Sequence, residues 1–454
     1  MSNDGLSGEH YSLFDRLLRW RLFPVSPHVF LYIFLAAIIY FAFAPGQRGE
    51  GNLATETVWK LWWPLLPFVV LFGGRLWCGI CPFGGIADLA GHVGRRAHAP
   101  RLVRHVGPWL GIISVFCFGL AFLALGLEAN AGATGWILIG MVVVAAALAL
   151  LFRGRTFCRY LCPVGLITRA YSFVSFLQPR GSNKPVLTRK NCPVGMAPAR
   201  LTQPGQCHLC GNCTQTRDDG GIITSFGFDR PRTAGRLEFA RPEVFLSLLL
   251  LTLMAADSVR MTSLFARYQQ AALPLFDFNY RLAVVAGVVL LIASVSALIS
   301  MAILAAGLSR AGATFNTVGF ASLPLTLGVF LSLAMQHLWS GAWPSVQTLL
   351  VEFRLLEWTG HMPPTNVYFF SLPLKLIQFG LLGTGLYLSL RWTSRLRSES
   401  GRDQAVEINA LFTDGGTVMK IPASRRLIVG TQAATGITAA AFGLLFLLPM
   451  SGAC

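Results

Sequence analysis

The chain has 454 residues, of which 54% are hydrophobic and 13% charged, and its mean hydropathy is +0.57. These values are typical of an integral membrane protein and exclude an ordinary soluble domain. The formal net charge of +17 comes largely from basic residues that flank apolar stretches. Because that pattern orients membrane helices, we predict the lipid bilayer, and not nucleic acid, as a partner.

Apolar stretches long enough, or nearly so, to cross the roughly 30 Å hydrocarbon core of a bilayer recur along the chain. They lie near residues 28–44, 58–72, 106–127, 134–152, 244–256, 282–308, 314–336, 367–390 and 427–450. The stretch at 244–256 is short, and we count it because the loop charges require a crossing there. Charges interrupt the residues before the first stretch, so no cleavable signal peptide is expected.

The basic residues predict the orientation of these stretches. With the N-terminus in the cytoplasm, the large majority of the 37 lysine and arginine residues fall in cytoplasmic segments, chiefly 75–105, 153–241 and 391–426. Loops rich in lysine and arginine stay on the cytoplasmic side. We therefore predict a multi-pass protein of the bacterial inner membrane, with a cytoplasmic N-terminus and a periplasmic C-terminus.

Two segments of the N-terminal half repeat each other. LFGGRLWCGICPFGGI (Leu71–Ile86) and LFRGRTFCRYLCPVGL (Leu151–Leu166) share a Gly-Arg step, a first cysteine and a closing Cys-Pro-x-Gly. Each follows a pair of predicted spans, so the two hairpins are expected to pack about a pseudo-two-fold axis. Their cysteines would then meet at the cytoplasmic membrane edge: Cys78, Cys81, Cys158 and Cys162.

These four cysteines predict a redox centre that holds iron–sulfur or another metal. The arginine that precedes each pair would favour the thiolate form of the cysteines. Two alternatives stay open. The thiols could form a reversible dithiol pair, or Cys-Pro-x-Gly could simply end each helix, since Pro cannot continue a helix and Gly permits the turn.

A second set of four cysteines lies between the fourth and fifth spans. Cys207, Cys210 and Cys213 form C-x-x-C-x-x-C, and Cys192 precedes a proline upstream. Three thiolates at this spacing bind three corners of a cubane cluster, and the fourth ligand is usually a cysteine before proline. We predict one [4Fe–4S] cluster on these four residues. Zinc also accepts four thiolates, whereas a disulfide is disfavoured because cytoplasmic thiols stay reduced.

The C-terminal half carries three ionisable residues that could handle a quinol. His337 ends a predicted span, His361 lies before the next one, and Lys375 sits within an otherwise apolar stretch. Intramembrane ionisable residues usually act in function, although Lys375 could instead extend its amine to the interface. The histidines could also belong to an interfacial belt or ligate haem or copper. The residues that would favour copper are Met335, His337, His361, Met362 and Cys454.

Membrane hairpins that end in Cys-Pro motifs, followed by a ferredoxin-like segment, resemble the polyferredoxin membrane proteins of the NapH and NosR type. The resemblance covers about residues 21 to 219 and implies a quinol dehydrogenase-like protein within a multi-subunit complex. That family usually carries two C-x-x-C-x-x-C-x-x-x-C-P motifs. Here the first survives only as Cys192-Pro193 and the second lacks its closing Cys-Pro, so one of the family's two clusters is missing.

We therefore predict an all-α integral membrane protein of about nine transmembrane helices with a small cytoplasmic iron–sulfur insertion. Its regions are a cytoplasmic N-terminal segment, duplicated hairpins, a ferredoxin-like segment and a five-helix membrane region, at residues 1–26, 27–178, 179–241 and 242–454. The predicted function is electron transfer between the quinone pool and a redox protein. The alternative is a metal-handling or oxidase-assembly factor such as a copper reductase, and a transporter or scaffold with a structural cluster is a third.

Overall fold

The computed structural model describes residues 13–44, 52–94, 97, 99–181, 192–198, 201, 204–215, 221–227, 241–307, 311–352, 372–400, 406–408, 419–421 and 425–447. This part of the chain is mostly helical, with two small antiparallel sheets of two strands each. Five of its helices are long and apolar enough to cross a membrane, and they contain Val25–Phe43, His105–Ala124, Ala131–Leu151, Tyr280–Ala297 and Ala321–Trp339. The chain is therefore a multi-pass helical membrane protein.

The N-terminal half consists of long helices joined by short ones. In chain order they are α1 (Leu13–Arg19), α2 (Val25–Phe43), α3 (Leu53–Thr55), a π-helical turn (Glu56–Trp62), α4 (Trp63–Gly73), α5 (Leu76–Ile80), α6 (Pro82–Val93), α7 (Arg101–Leu125), α8 (Ala131–Leu151), α9 (Thr156–Tyr160) and α10 (Pro163–Tyr171). The helix predicted at 58–72 is thus divided between the π-helical turn and α4.

The two repeated segments have the same order of elements. In each, a long helix ends, a glycine with positive φ follows (Gly74, φ 57°; Gly154, φ 81°), and a five-residue helix leads to the Cys-Pro step. The proline of that step is the first residue of α6 and of α10, where its missing N–H costs nothing. Cys81 and Cys162 therefore stand directly before helix N-termini.

The C-terminal half is built from the longer helices α12 (Arg241–Arg260), α14 (Tyr280–Gly307), α15 (Ala311–Glu352), α16 (Leu372–Ser400) and α17 (Arg425–Leu447), with the shorter α13 (Ser263–Ala272). Close packing of α15 on α16 depends on glycine, since a Cβ added at Gly328 would lie 2.8 Å from the Leu381 carbonyl oxygen. Small residues allow this approach between membrane helices. The sequence predicted that one span ends at His337. The candidate span within α15 ends close by at Trp339, and the helix itself continues to Glu352.

Each of the nine apolar stretches is helical over most of its described length. The four beyond the five candidate spans are the π-helical turn with α4, α12, α16 and α17. That they also cross the membrane, and that the cysteine segment faces the cytoplasm, stay predictions.

A small sheet and the N-terminal helix enclose the second cysteine segment. Strand β1 (Leu177–Gly181) pairs with β2 (Ile222–Phe226), and the short α11 (Asn212–Gln215), which contains Cys213, precedes β2. The Asp15 carboxylate of α1 accepts hydrogen bonds from the backbone N–H (2.8 Å) and hydroxyl (2.9 Å) of Thr224. These bonds attach α1 to the segment. The remaining strands, β3 (Val406–Ile408) and β4 (Met419–Ile421), pair near the C-terminus.

Candidate iron–sulfur sites

The predicted cluster ligands Cys192, Cys207, Cys210 and Cys213 line one cavity. Tight loop turns bring them there, because Leu209 and Gly211 both adopt positive φ (52° and 77°). A Cβ added at Gly211 would lie 2.5 Å from the Leu18 carbonyl oxygen, so the loop packs directly on α1. The structure therefore gathers the four thiols that the sequence pattern selected.

The surroundings of these thiols fit an iron–sulfur cluster. Burial raises the pKa of Cys210 to about 11 and that of Cys213 to about 12, so a bound cation is needed to hold the thiolate form. The backbone N–H of Leu209 donates to Cys207 Sγ at 3.3 Å, and such bonds stabilise thiolates and clusters. His208 is buried between Cys207 and Cys210 in the chain, and its Nδ1 has no hydrogen-bond partner among the residues that the structure describes.

Zinc is the alternative metal for four thiolates, and it would need them closer together than a cubane does. Four thiolates on one zinc ion lie about 3.8 Å from one another, from Zn–S bonds of about 2.3 Å in a tetrahedron. In a cubane each thiolate binds a different iron, so the four sulfurs stand farther apart.

The other four cysteines, Cys78, Cys81, Cys158 and Cys162, also come together. Cys78 Sγ of the first hairpin lies 3.2 Å from the Thr168 hydroxyl oxygen of the second, which joins the two repeats. Burial, followed by the charges of Cys158 and Cys78, raises the pKa of Cys81 to about 12. Burial and then Cys158 and Cys81 raise the pKa of Cys162 well above its usual value. The thiols of one cysteine pair therefore lie close enough to those of the other pair for their charges to interact.

Backbone amides also point at this second set. Cys162 Sγ accepts a hydrogen bond from the Gly165 N–H at 3.3 Å, at the N-terminus of α10. The N–H groups of Phe83 and Gly84, at the start of α6, act on Cys81 in the equivalent position. Helix N-termini favour negative charge, so both helices would stabilise a thiolate or a cluster at this point.

Two buried arginines cross between the repeats. Arg155, whose side chain is 0% exposed, donates to both carboxylate oxygens of Asp88, with Nη2 at 2.6 Å from Oδ2, and to the Cys78 carbonyl oxygen at 2.7 Å. Arg75 donates to the Gly205 carbonyl oxygen at 2.6 Å and the Gly165 carbonyl oxygen at 3.1 Å. The arginine of each repeat thus donates hydrogen bonds to the other repeat. Arg75 also contacts the segment that carries the predicted cluster ligands, through the Gly205 carbonyl oxygen.

The two cysteine sets adjoin each other. A Cβ added at Gly79, between Cys78 and Cys81, would lie 2.6 Å from the carbonyl oxygen of His208 and 2.8 Å from that of Leu209. On the other repeat, the Arg155 N–H donates to the Pro193 carbonyl oxygen at 2.8 Å. Both hairpins therefore contact the loops that carry the predicted cluster ligands. We call the end of the bundle that holds both sets the cysteine end.

An apolar cavity, open on one side, lies between the two halves of the chain. Its walls come from α4, α7, α10, α12 and α15 and include Trp63, Phe118, Phe122, Ile167 and Phe330. Two ionisable side chains, Asp257 and His337, also line it. The sequence analysis selected His337 as a candidate site residue but not Asp257. The position of Asp257 directly after the charge-free stretch 244–256 could have indicated an ionisable residue at the end of a membrane helix.

The structure does not bring the other predicted quinol residues to this cavity. Lys375 lies half-buried near the start of α16 and is not among the described residues that line the cavity. His361 falls outside the described residues. Their roles stay predictions.

Comparisons with known proteins agree with this architecture. A family model described as a 4Fe-4S binding domain matches the chain twice, at residues 55–100 and 134–180. The two matches coincide with the two hairpins that carry Cys78 with Cys81 and Cys158 with Cys162. Together, the membrane helices and the cysteine sets define a membrane iron–sulfur protein.

Curated proteins are similar in sequence to part of this chain. The regulatory protein NosR of Pseudomonas aeruginosa is 27% identical over 199 residues, 38% of this chain and 28% of that protein. The protein NirI of Paracoccus denitrificans is 25% identical over 233 residues, 45% of this chain and 33% of that protein. These matches confirm the resemblance to membrane ferredoxin-like proteins of the NosR and NapH type. The chain spans about a third of the length of these relatives, and no solved structure matches it.

Proposed function

We propose that this protein passes electrons between the quinone pool and a redox partner, with quinol as the electron donor. The observation that carries the proposal is the contact between the two cysteine sets, where Gly79 packs on the backbone of His208 and Leu209. A [4Fe–4S] cluster, when bound, takes up and releases single electrons. Adjoining centres would let the two electrons of a quinol leave one after the other.

The buried arginines would assist this transfer. The Arg155 charge acts on Cys158 of one set and on Cys210 of the other, while Arg75 acts on Cys158. A positive charge beside a cluster stabilises the electron that the cluster receives and so raises its reduction potential. Both arginines also fix the hairpins against the cluster segment by backbone hydrogen bonds. We infer that they tune and align the two centres together.

The partner is proposed to dock at the cysteine end. Cys192, Cys207 and Cys213 are each partly exposed, so the predicted cluster lies near the protein surface there. A membrane-associated redox protein in a multi-subunit complex fits this placement, in line with the NosR and NirI resemblance.

Copper handling receives less support. It would need histidine, methionine and cysteine side chains collected in one place. Of the residues that favour it, His361, Met362 and Cys454 lie outside the described residues, and Met335 and His337 lie two positions apart on α15. This alternative stays a prediction.

The first test is the metal content of a ligand variant. Cys207→Ser is expected to remove about four irons per chain, the stoichiometry of one cubane, together with its EPR signal in the reduced protein. Iron and acid-labile sulfide analysis of the purified protein measures this. Cys117→Ser is the matched control, because Cys117 is exposed on α7 and belongs to neither cysteine set. Stoichiometric zinc without sulfide in the unaltered protein would contradict the proposal.

The second test asks whether the cluster lies on the electron route. Cys210→Ala is expected to stop quinol-dependent reduction of the partner while the membrane helices stay folded, because the segment packs outside the candidate spans. The rate of partner reduction in membranes and the amount of protein extracted from them measure the two effects. A native rate in this variant would remove the cluster from the route.

A further inference from the structure

A cluster of charged residues lies at the end of the bundle opposite the cysteine end. Arg260 at the end of α12 donates to the Glu128 carboxylate at 3.0 Å and to the Asp257 carboxylate at 3.3 Å. Nearby, Lys60 donates to the Glu56 carboxylate at 2.6 Å. Glu56 and the end of α4 are about 25 Å apart, from the rise per residue of a helix, so this cluster and the cysteines are well separated.

His337 belongs to the same electrostatic environment. Burial alone would raise the pKa of Glu128, but the positive charge of Arg260 is the main opposing cause, and the pKa is held below its usual value. The His337 imidazole lies close enough to interact with Glu128 and with Asp257. Glu128 is therefore a carboxylate at neutral pH, next to a positive guanidinium. We call Glu128, Asp257, Arg260 and His337 the outer proton cluster.

The apolar cavity connects this cluster to the cysteine end. Asp257 and His337 line the cavity at the outer proton cluster, and Arg260 sits over the ring of Phe122 at 5.9 Å, another wall residue. The wall also includes Ile167, whose neighbour Thr168 contacts Cys78 Sγ at 3.2 Å. A molecule in the cavity would thus have ionisable groups on one side and the route to the cysteines on the other.

We propose that Asp257 and His337 are the groups that take the two protons of a quinol bound in this cavity, an assignment that rests on the proposed function. Oxidation of a quinol to a quinone breaks two O–H bonds and releases two protons and two electrons. One proton goes to the imidazole of His337 and the other to the carboxylate of Asp257. The electrons leave singly to the iron–sulfur centres, which are reoxidised by the redox partner.

The chemistry of the cavity suits this substrate. Aromatic and aliphatic walls accept an apolar ring and tail, while a few convergent polar groups fix the orientation of the head. Glu128 lies next along the cluster, paired with Arg260, so the charged cluster offers released protons a polar exit at the end of the bundle away from the cysteines. Protons and electrons would therefore leave the cavity in opposite directions.

The test compares Asp257→Asn and His337→Gln with matched controls that make the same chemical changes elsewhere. The controls are Asp277→Asn and His105→Gln, both at exposed positions outside the cavity. Each cavity variant is expected to lower kcat for decylubiquinol oxidation by about 10²-fold or more, the usual contribution of a general base. Iron content and reduction of the centres by dithionite are expected to match the unaltered protein, since neither step uses these residues.

A third variant tests the cavity itself. Ala334→Phe places a large side chain on the wall and is expected to abolish quenching of tryptophan fluorescence by decylubiquinone, which the unaltered protein should show because Trp63 lines the cavity. Native kcat in both Asp257→Asn and His337→Gln would overturn the proposal, as would a change confined to KM. If the unaltered protein holds its iron but oxidises no quinol, the proposed function itself fails.

Discussion

Asp88→Asn is expected to lower the free energy of unfolding by about 3 kcal/mol. The change leaves the Arg155 guanidinium fully buried without a counter-charge, and breaking one partner of a buried ion pair costs about 3–5 kcal/mol. The lower end of that range applies because the Asp88 side chain keeps 26% exposure and so some contact with water. Thermal unfolding of the detergent-solubilised protein measures the loss.

The control for this experiment is Asp277→Asn. Asp277 is exposed and adopts a positive φ of 51°, a conformation that asparagine tolerates well, so little change in stability is expected. Equal stability of Asp88→Asn and the unaltered protein would mean that Arg155 finds its stabilisation elsewhere. The crossed arginines would then have no structural role in holding the hairpins together.

Cys158→Ser is expected to abolish electron transfer from quinol to the partner and to remove the metal of the duplicated hairpins. Cys158 is buried between the two repeats, where its charge acts on Cys81 and Cys162, so its loss disrupts shared ligation. The cluster on Cys192, Cys207, Cys210 and Cys213 should remain, leaving about four irons per chain. Iron analysis and the EPR spectrum of the reduced variant separate the two centres.

A different outcome would identify different chemistry. If iron is unchanged in Cys158→Ser while thiol titration of the unaltered protein shows a reversible loss of two thiols on oxidation, the hairpins carry a dithiol pair. Cys117→Ser again serves as the control, because it removes a thiol without touching either set.

Both cysteine sets could be predicted from the sequence because their information is local. The spacing of Cys207, Cys210 and Cys213 sets the loop geometry of a cubane site within seven positions, and Cys-Pro-x-Gly marks a helix start in each repeat. The repeat itself predicted that distant pairs would meet. The contact between Cys78 and Thr168 supports that expectation without testing metal binding.

The partners of these sites could not be predicted in the same way. Asp88 and Arg155 are 67 positions apart, and Glu128 and Arg260 are 132 apart, so no local pattern joins them. In the sequence, Asp257 only marks the end of the short apolar stretch 244–256. Its position on a cavity wall depends on how α12 packs against α7 and α15. Such pairs follow from tertiary packing, where one buried charge requires another.

The number of crossings shows a further limit of sequence patterns. Hydropathy located the long helices of the described part of the chain. A run of apolar residues does not show, however, how much of a helix faces lipid and how much packs against other helices. The window Ala321–Trp339 of α15 is 83% buried within the protein, whereas that of α2 is 22% buried, although both are long and apolar enough to span. A helix that is surrounded by other helices can contain polar residues that hydrogen-bond to a neighbouring helix. Gln378 of α16 donates such a bond to Gln336 of α15 at 3.1 Å.

The separation of about 25 Å along the π-helical turn and α4 has an energetic consequence. On the proposed route, the protons of each quinol depart at one end of these helices and its electrons at the other. Each quinol oxidised by this route would therefore move charge along the membrane normal. The transmembrane voltage would then either oppose or assist the reaction, depending on the direction of that movement. A full crossing corresponds to about 2.3 kcal/mol per elementary charge at 100 mV. The same packing that keeps protons away from the cysteines would thus couple this redox reaction to the energy stored across the bilayer.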